Sequence, residues 1–313
     1  MGYLSHVRND YVNGQLSFEE VKRKYVSWVN RDEYLVFYSE IENKNGENLY
    51  YAIKCAKRGN DVYRNRIYKR FREFYDLRKI DNEIVFCDNH KISASNIFFL
   101  TLTYDTKLCS IDEAWEKIGK QFNEFLTNIK NNFGKCYIIR CFESFKNGYP
   151  HIHAILFFQD ASFKIIKNVK VLRNKKKIRY LLETPIKEYF ESKWHSFIKI
   201  EALKDLGGLF YLLKYITKVQ FSQNNFSTNA RLWLHGKRSY SMSMYFKDYF
   251  LNFIGLLPIR LDTNQHNSKE SLNLFYVTTI QATKEGLNPF FKFFLNMDWH
   301  GENSFWWIFN ERL

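Results

Sequence analysis

The hydrophobic period changes repeatedly between residues 98 and 158, and that succession constrains the fold more than any other feature of the sequence. From Phe98 to Tyr104 the side chains alternate, so that Phe98, Leu100, Leu102 and Tyr104 share one face of a strand and Thr101 and Thr103 the other. From Ile111 to Phe133 the period is that of a helix, with Ile111, Trp115, Ile118, Phe122, Phe125, Ile129 and Phe133 on one stripe. Ser110 and Glu113 form a capping-box pattern at its start, and Gly134 stops it. Two strands follow, Tyr137 to Glu143 and His151 to Phe158, separated by the turn-rich segment 144–150, and they read as an antiparallel hairpin. A second helix, from about Gly208 to Val219, carries Leu209, Leu212, Leu213 and Ile216 on one stripe and Tyr211, Lys214, Tyr215 and Lys218 on the other. This order predicts an α+β fold: an antiparallel sheet with helices packed on one face, a two-layer sandwich with N- and C-terminal elaborations.

The flanks are less regular. Residues 33–57 read as a hairpin around Asn45 and Gly46, and 61–79 as a basic helix interleaved with Tyr63, Tyr68, Phe71 and Tyr75. That helix fits either a solvated face or a phosphate-gripping one. Residues 163–180 hold Lys and Arg but no acid, which suggests a basic hairpin arm. Pro185 opens a helix through about His195, and Phe197 to Leu203 reads as a strand. The expected division is 1–90 as an N-terminal hairpin and basic helix with an accessory DNA-binding role, 91–250 as the sandwich, and 251–313 as an aromatic-rich extension of open role.

Charge narrows the partner. Among 313 residues, 47 are Lys or Arg and 33 Asp or Glu, a net charge of +14 that calls for a polyanion, either nucleic acid or an anionic membrane surface. No run of about 18 apolar residues and no basic-apolar-small leader pattern occurs, so no membrane partner is expected and the address is intracellular. Cys55, Cys87, Cys109, Cys136 and Cys141 never take a C-x-x-C spacing, which excludes a zinc knuckle and a disulfide framework and leaves reduced, mostly core thiols.

His151 and His153 flank Ile152 inside a strand, so a period of two turns both imidazoles to one face, where they can share a cation or pack as a structural pair. Glu143 ends the preceding strand of the hairpin and can bring a carboxylate beside them. Two nitrogens and an oxygen suit Mn²⁺ or Mg²⁺, with positions left for phosphate oxygens. Tyr211 and Tyr215 stand one helical turn apart, interleaved with Lys214 and Lys218. A phenol with a pKa near about 10 is a poor nucleophile unless ammonium groups and a polarised phosphate assist it. Two core aromatics are the plainer reading of the pair, but the flanking lysines argue against burial.

Phe99-Leu100-Thr101-Leu102-Thr103-Tyr104, then Gly148-Tyr149-Pro150-His151-Ile152-His153-Ala154, then Tyr211-Leu212-Leu213-Lys214-Tyr215-Ile216-Thr217-Lys218 resemble the three ordered motifs of the HUH endonucleases. Within that superfamily they are most similar to two-tyrosine rolling-circle replication initiators of single-stranded-DNA phages and small prokaryotic or archaeal plasmids, over about residues 98–220. The resemblance implies a nickase domain over 91–250 that cuts one strand at an origin and keeps the 5′ phosphate as a phosphotyrosine. It also implies release of a 3′ hydroxyl for a polymerase and rejoining of the displaced strand. By motif, His151 and His153 would be metal ligands with Glu143 as the third. Tyr215 and Tyr211 would be the nucleophiles, Tyr215 first, with Lys214 and Lys218 as the lysines that trail them.

Arg231, Trp233, Lys237, Arg238 and the segment Ser239 to Ser243 resemble a basic, serine-containing strand that follows the tyrosine helix in some initiators. With Lys175, Lys176, Lys177 and Arg179 of the basic arm they make up the expected DNA-binding set. The implied partners are single-stranded or supercoiled origin DNA, a host polymerase and, since no G-x-x-x-x-G-K-[ST] occurs, a host helicase, in the cytoplasm of a prokaryotic cell. The sequence leaves the oligomeric state open. Two alternatives stand beside this reading. One is a transposase or relaxase of the same superfamily, although relaxases place the tyrosine before the histidines and the similar transposases are shorter with a single tyrosine. The other is a non-catalytic, basic nucleic-acid-binding protein whose histidines merely pack.

Overall fold

A computed structural model describes residues 3–42, 48–77, 94–172, 175–194, 196–218, 223–255 and 274–281. The chain begins with α1 (Tyr3–Val12), α2 (Phe18–Asn30), β1 (Glu33–Glu42), β2 (Asn48–Lys54), α3 (Asp61–Arg70) and α4 (Arg72–Asp76). Then come β3 (Ala94–Ser95), β4 (Ile97–Thr103), α5 (Ile111–Phe133), β5 (Cys136–Ser144), β6 (Pro150–Phe158), β7 (Phe163–Leu172) and β8 (Lys175–Leu182). The remainder is α6 (Thr184–Trp194), β9 (Ile198–Ala202), α7 (Gly207–Lys218), α8 (Gln223–Leu234), β10 (Tyr240–Met242), α9 (Phe246–Phe253) and β11 (Leu274–Gln281).

Contacts divide the chain into two units, one of residues 1–26 and 63–260, the other of 27–62 and 261–313. These units do not run as the consecutive blocks 1–90, 91–250 and 251–313, and strand pairing supplies the reason. The expected hairpin exists as β1 and β2, but β11 from the C-terminal region pairs with β1 on its other side, giving a three-stranded sheet β11-β1-β2. Helices α1, α3 and α4 belong instead to the larger unit. Arg8 of α1 donates to the Leu234 carbonyl at 2.7 Å, and Tyr11 donates to Asp112 at 2.8 Å.

The larger unit is built on an antiparallel sheet in the order β10-β5-β6-β4-β9-β8-β7-β3. On its first face Phe98, Leu100, Leu102, Phe142, Ile152, Ala154 and Leu156 pack under α5 and α6. The alternation expected for residues 98–104 is present, and the capping box at Ser110 and Glu113 is formed in both directions. The second face differs from the expected two-layer arrangement, because it too is covered. Ile139, Cys141, Ile155 and Phe157 pack against Ile67 of α3, Phe74 of α4, Leu209 and Leu213 of α7, and Phe246 of α9. The signal for this lay in β6, where every residue from Pro150 to Phe158 is buried. A strand with no solvated side carries a nearly continuous apolar run rather than an alternation. The aromatics of the basic segment 61–79 belong to the same layer, with Phe71 and Phe74 fully buried and Lys69, Arg70 and Arg72 outside.

The basic arm is the β7–β8 hairpin, in register from Ile165 with Leu182 to Leu172 with Lys175. Cys136 and Cys141 are buried and Cys55 and Cys109 partly so, all as free thiols, while Cys87 lies outside the described residues. Among the described residues no helix is long and apolar enough to cross a membrane.

Trp115 ties helix to site. Its ring is fully buried on the first face, and its Nε1 donates to the Gly148 carbonyl at 2.9 Å, in the turn that precedes His151. Trp115→Ala is expected to cost about 3–5 kcal/mol through the cavity it leaves, and Ser110→Ala about 1 kcal/mol through the lost cap. Urea unfolding midpoints at unchanged slope measure both, and equal losses would contradict the assigned roles.

Candidate metal centre

The centre is assembled by strand register. In the β5–β6 hairpin Glu143 lies directly opposite His151, and His153 follows two residues along on the same face. Both imidazoles are buried, and Glu143 Oε2 lies 3.0 Å from His151 Nε2 and 3.1 Å from His153 Nε2. The two Nε2 atoms are 3.1 Å apart. Three lone-pair-bearing atoms therefore converge, and the group Glu143, His151 and His153 could hold a metal ion. Two imidazole nitrogens and a carboxylate oxygen make a donor set that suits a divalent cation.

Neighbouring strands orient the rings. Thr101 of β4 is the cross-strand partner of His153, and its Oγ1 lies 3.1 Å from His153 Nδ1. An Nδ1–H donated to that hydroxyl leaves the Nε2 lone pair free to face the other donors. Phe145 stacks on His151 with ring centres 4.3 Å apart, while the buried His151 Nδ1 has no hydrogen-bond partner among the described residues. Burial works to raise the Glu143 carboxyl, but hydrogen bonds and charge from His151 and His153 outweigh it and hold the pKa at about 2. Burial depresses His153 below the usual imidazole value against the opposing pull of Glu143.

Helix α7 brings the tyrosines to the same face. Leu209, Leu212, Leu213 and Ile216 are buried against the sheet, which leaves Tyr211 exposed, Tyr215 half-buried and Lys214 exposed. Asp205 accepts from the Gly207 backbone at 2.9 Å at the start of the helix. A Cβ at Gly208 would meet the end of the Leu203 side chain, which would have to shift to admit it. Tyr215 stacks on His153 with ring centres 4.6 Å apart and donates its hydroxyl to Tyr211 at 2.5 Å. Burial, that hydrogen bond and the Glu143 charge raise the Tyr215 phenol well above its ordinary value. Lys218 lies within α7, and its side chain is outside the described residues.

The expected DNA-binding residues fare unevenly. Lys175, Lys176 and Lys177 lie on β8, and Arg179 Nε sits 3.2 Å from Glu201 on β9. Arg231 requires a correction. It lies in α8 rather than a strand, is 6% exposed, pairs with Asp112 at 3.2 Å and stacks over the Phe18 ring, so it braces the fold instead of meeting solvent. The Asn-, Ser- and Thr-containing segment around 223–230 has weak helix propensity, which hid this helix. Lys237 donates to the Glu116 carbonyl at 2.9 Å, and Arg238 is exposed. The serines around β10 are also engaged, Ser239 with Tyr63, Ser241 with Arg140 and Ser243 with the Ile138 backbone. Thr101 and Phe145 are the site residues that sequence reasoning missed. Thr101 stood on the correct strand face, but its pairing with a residue 52 positions away is not a local property.

Residues 97–220, from β4 to just past α7, match the family model described as replication-associated protein ORF2/G2P. No curated protein and no solved structure matches the chain.

Mn²⁺ binding followed by titration calorimetry tests the centre. His153→Ala is expected to abolish binding and Thr101→Val to weaken it about 10-fold through the lost ring anchor. Protons compete with the cation for imidazole, and burial keeps His153 below its ordinary value, so affinity should hold at pH 7 and fall below about pH 6. Unchanged affinity in His153→Ala would remove the assignment.

Proposed function

We propose that the chain is a rolling-circle replication initiator of the HUH type: a metal-dependent, site-specific single-strand DNA endonuclease and strand transferase that holds the cleaved 5′ phosphate on tyrosine. One observation carries the reading. The Tyr215 ring lies against His153, one of three converging donors, within a segment matching a replication-associated family. A divalent ion held by Glu143, His151 and His153 would supply Lewis-acid polarisation of the scissile phosphate and offset its charge.

The chain's own residues supply the rest. The Tyr215 oxygen attacks phosphorus, the bond from phosphorus to the 3′ oxygen breaks, and the phosphate is left esterified to the phenol. Tyr215 already donates to Tyr211, so its proton passes to that hydroxyl while the exposed Tyr211 gives its own to solvent. The 3′ oxygen departs as a hydroxyl after taking a proton from water, ready for a polymerase. Tyr211 then serves as the second nucleophile, cutting the regenerated origin while Tyr215 retains the first strand. Lys214, and Lys218 by its place on the helix, supply positive charge beside the reacting phosphate. The cations of the basic arm and Arg238 bind the DNA backbone. A host helicase and polymerase complete the cycle in the cytoplasm of a prokaryotic cell.

A randomised single-stranded oligonucleotide pool with Mn²⁺ should yield a covalent protein–DNA adduct on denaturing gels, absent from Tyr211→Phe, Tyr215→Phe. His151→Ala should lose the adduct yet keep salt-sensitive binding. Binding without any adduct in the unsubstituted chain would point to a non-catalytic binder instead.

A further inference from the structure

Glu143 sits one residue from the end of β5, where the outer edge of that strand is held by a helix rather than by another strand. Strand β10 pairs with β5 from Ile139 opposite Met242 to Cys141 opposite Tyr240, and stops there. On either side of this short ladder the β5 backbone finds other acceptors, as buried N–H groups must. Ile138 donates to Ser243 Oγ at 2.9 Å, Phe142 to the Ser239 carbonyl at 3.0 Å, and Ser144 to Thr228 Oγ1 at 3.3 Å. The Thr228 hydroxyl also lies 2.6 Å from Ser144 Oγ. Phe142 and Ser144 flank Glu143, so the backbone is tied down on both sides of the carboxylate.

Thr228 belongs to α8 and is 3% exposed. Arg231 stands about one turn further along the same helix face. Its guanidinium packs against Gly148, where an added Cβ would lie 3.3 Å from it, and Asp112 and the Phe18 ring fix the guanidinium in turn. Helix α8 therefore brackets the segment 144–150 that joins Glu143 to His151, touching it at Ser144 and at Gly148.

The three ligands differ in how they are held. Thr101 and the Tyr215 ring fix His153, and Phe145 stacks on His151. The Glu143 carboxylate bonds to the two imidazoles themselves, through the nitrogens that a cation would take. Its side chain is also the least enclosed, 28% exposed against 6% for His151 and 7% for His153. Once the imidazole lone pairs turn to a cation, the aim of the carboxylate depends on where the end of β5 is held.

We propose that Thr228 is a positioning residue for the third ligand: its hydroxyl anchors the end of β5, keeps Glu143 aimed at the point that His151 and His153 share, and so lets α8 set the affinity of the centre for a divalent cation. Groups that hold a ligand in place without touching the metal commonly govern affinity in this way. The inference rests on the reading of Glu143, His151 and His153 as a metal centre.

Titration calorimetry of the full chain with Mn²⁺ tests it. Thr228→Val keeps the shape and removes the acceptor, and should weaken binding about 10-fold, whereas Thr228→Ser keeps the hydroxyl and should bind as the unsubstituted chain does. Leu232→Ala is the control. Leu232 is a fully buried residue of the same helix, packed in the layer of α5 and α6, so its loss should lower the melting temperature and leave Mn²⁺ affinity unchanged. Should Thr228→Val fail to fold, Ser144→Ala removes the other hydroxyl of the pair and should weaken binding in the same direction. Unchanged affinity in Thr228→Val, or in Ser144→Ala where it stands in, would overturn the positioning role and leave the centre intact. So would Thr228→Ser binding as weakly as Thr228→Val, or an equal loss in Leu232→Ala. Absence of Mn²⁺ binding by the unsubstituted chain would overturn both.

Discussion

Two imidazoles inside a strand that has no solvated side are the constraint on which the rest of the structure turns. Strand β6 is buried at all nine of its residues, and His151 and His153 are its polar members. An imidazole in that position must find most of its partners within the sheet, because little of it meets water. The hairpin supplies one partner by register, Glu143 opposite His151, and β4 supplies another, Thr101 opposite His153. The centre is thus a property of strand pairing. A one-residue slip would turn both rings to the α5 face, among Trp115 and Phe142, where none of these partners waits.

The two helical layers convert that register into a place for the tyrosines. Four apolar residues of α7 are at most 1% exposed, each contributing about 1.5–3 kcal/mol, or about 6–12 kcal/mol together. The hydrogen bond between Tyr215 and Tyr211 is worth about 0.5–1.5 kcal/mol. The leucine stripe therefore decides how the helix is turned, and the phenols follow. On the opposite face the α5 stripe plays the equivalent part, and the bond from Trp115 to Gly148 fastens it to the turn entering β6.

Much of this was legible locally. The period of two that pairs His151 with His153, the capping box at Ser110, and the division of residues 208–216 into leucine and tyrosine stripes each depend on neighbours in sequence, and each is present. What escaped depends on contacts between distant segments. The continuous apolar run of β6 is compatible with a covered second face but does not say which helices cover it. Thr101 becomes part of the site through pairing across 52 positions, and β11 joins β1 across more than two hundred. Arg231 read as a surface cation because composition cannot reveal that Asp112 and the Phe18 ring enclose it.

The same energetic reasoning bears on whether the cluster is a cation site or a structural histidine pair. In a binding module, β6 would be served at least as well by apolar residues, since replacing a buried polar cluster with well-packed hydrophobic groups is often neutral or stabilising. Here three titratable groups crowd within 3.1 Å of one another, and the carboxyl is drawn down to about 2 although burial alone would raise it. The imidazoles can satisfy the carboxylate by donating to it, or can turn their lone pairs with it toward a shared cation. The half-buried Tyr215 ring packs against the leucine cluster and stacks on His153, so the packing that seats α7 also sets the phenol beside the donors.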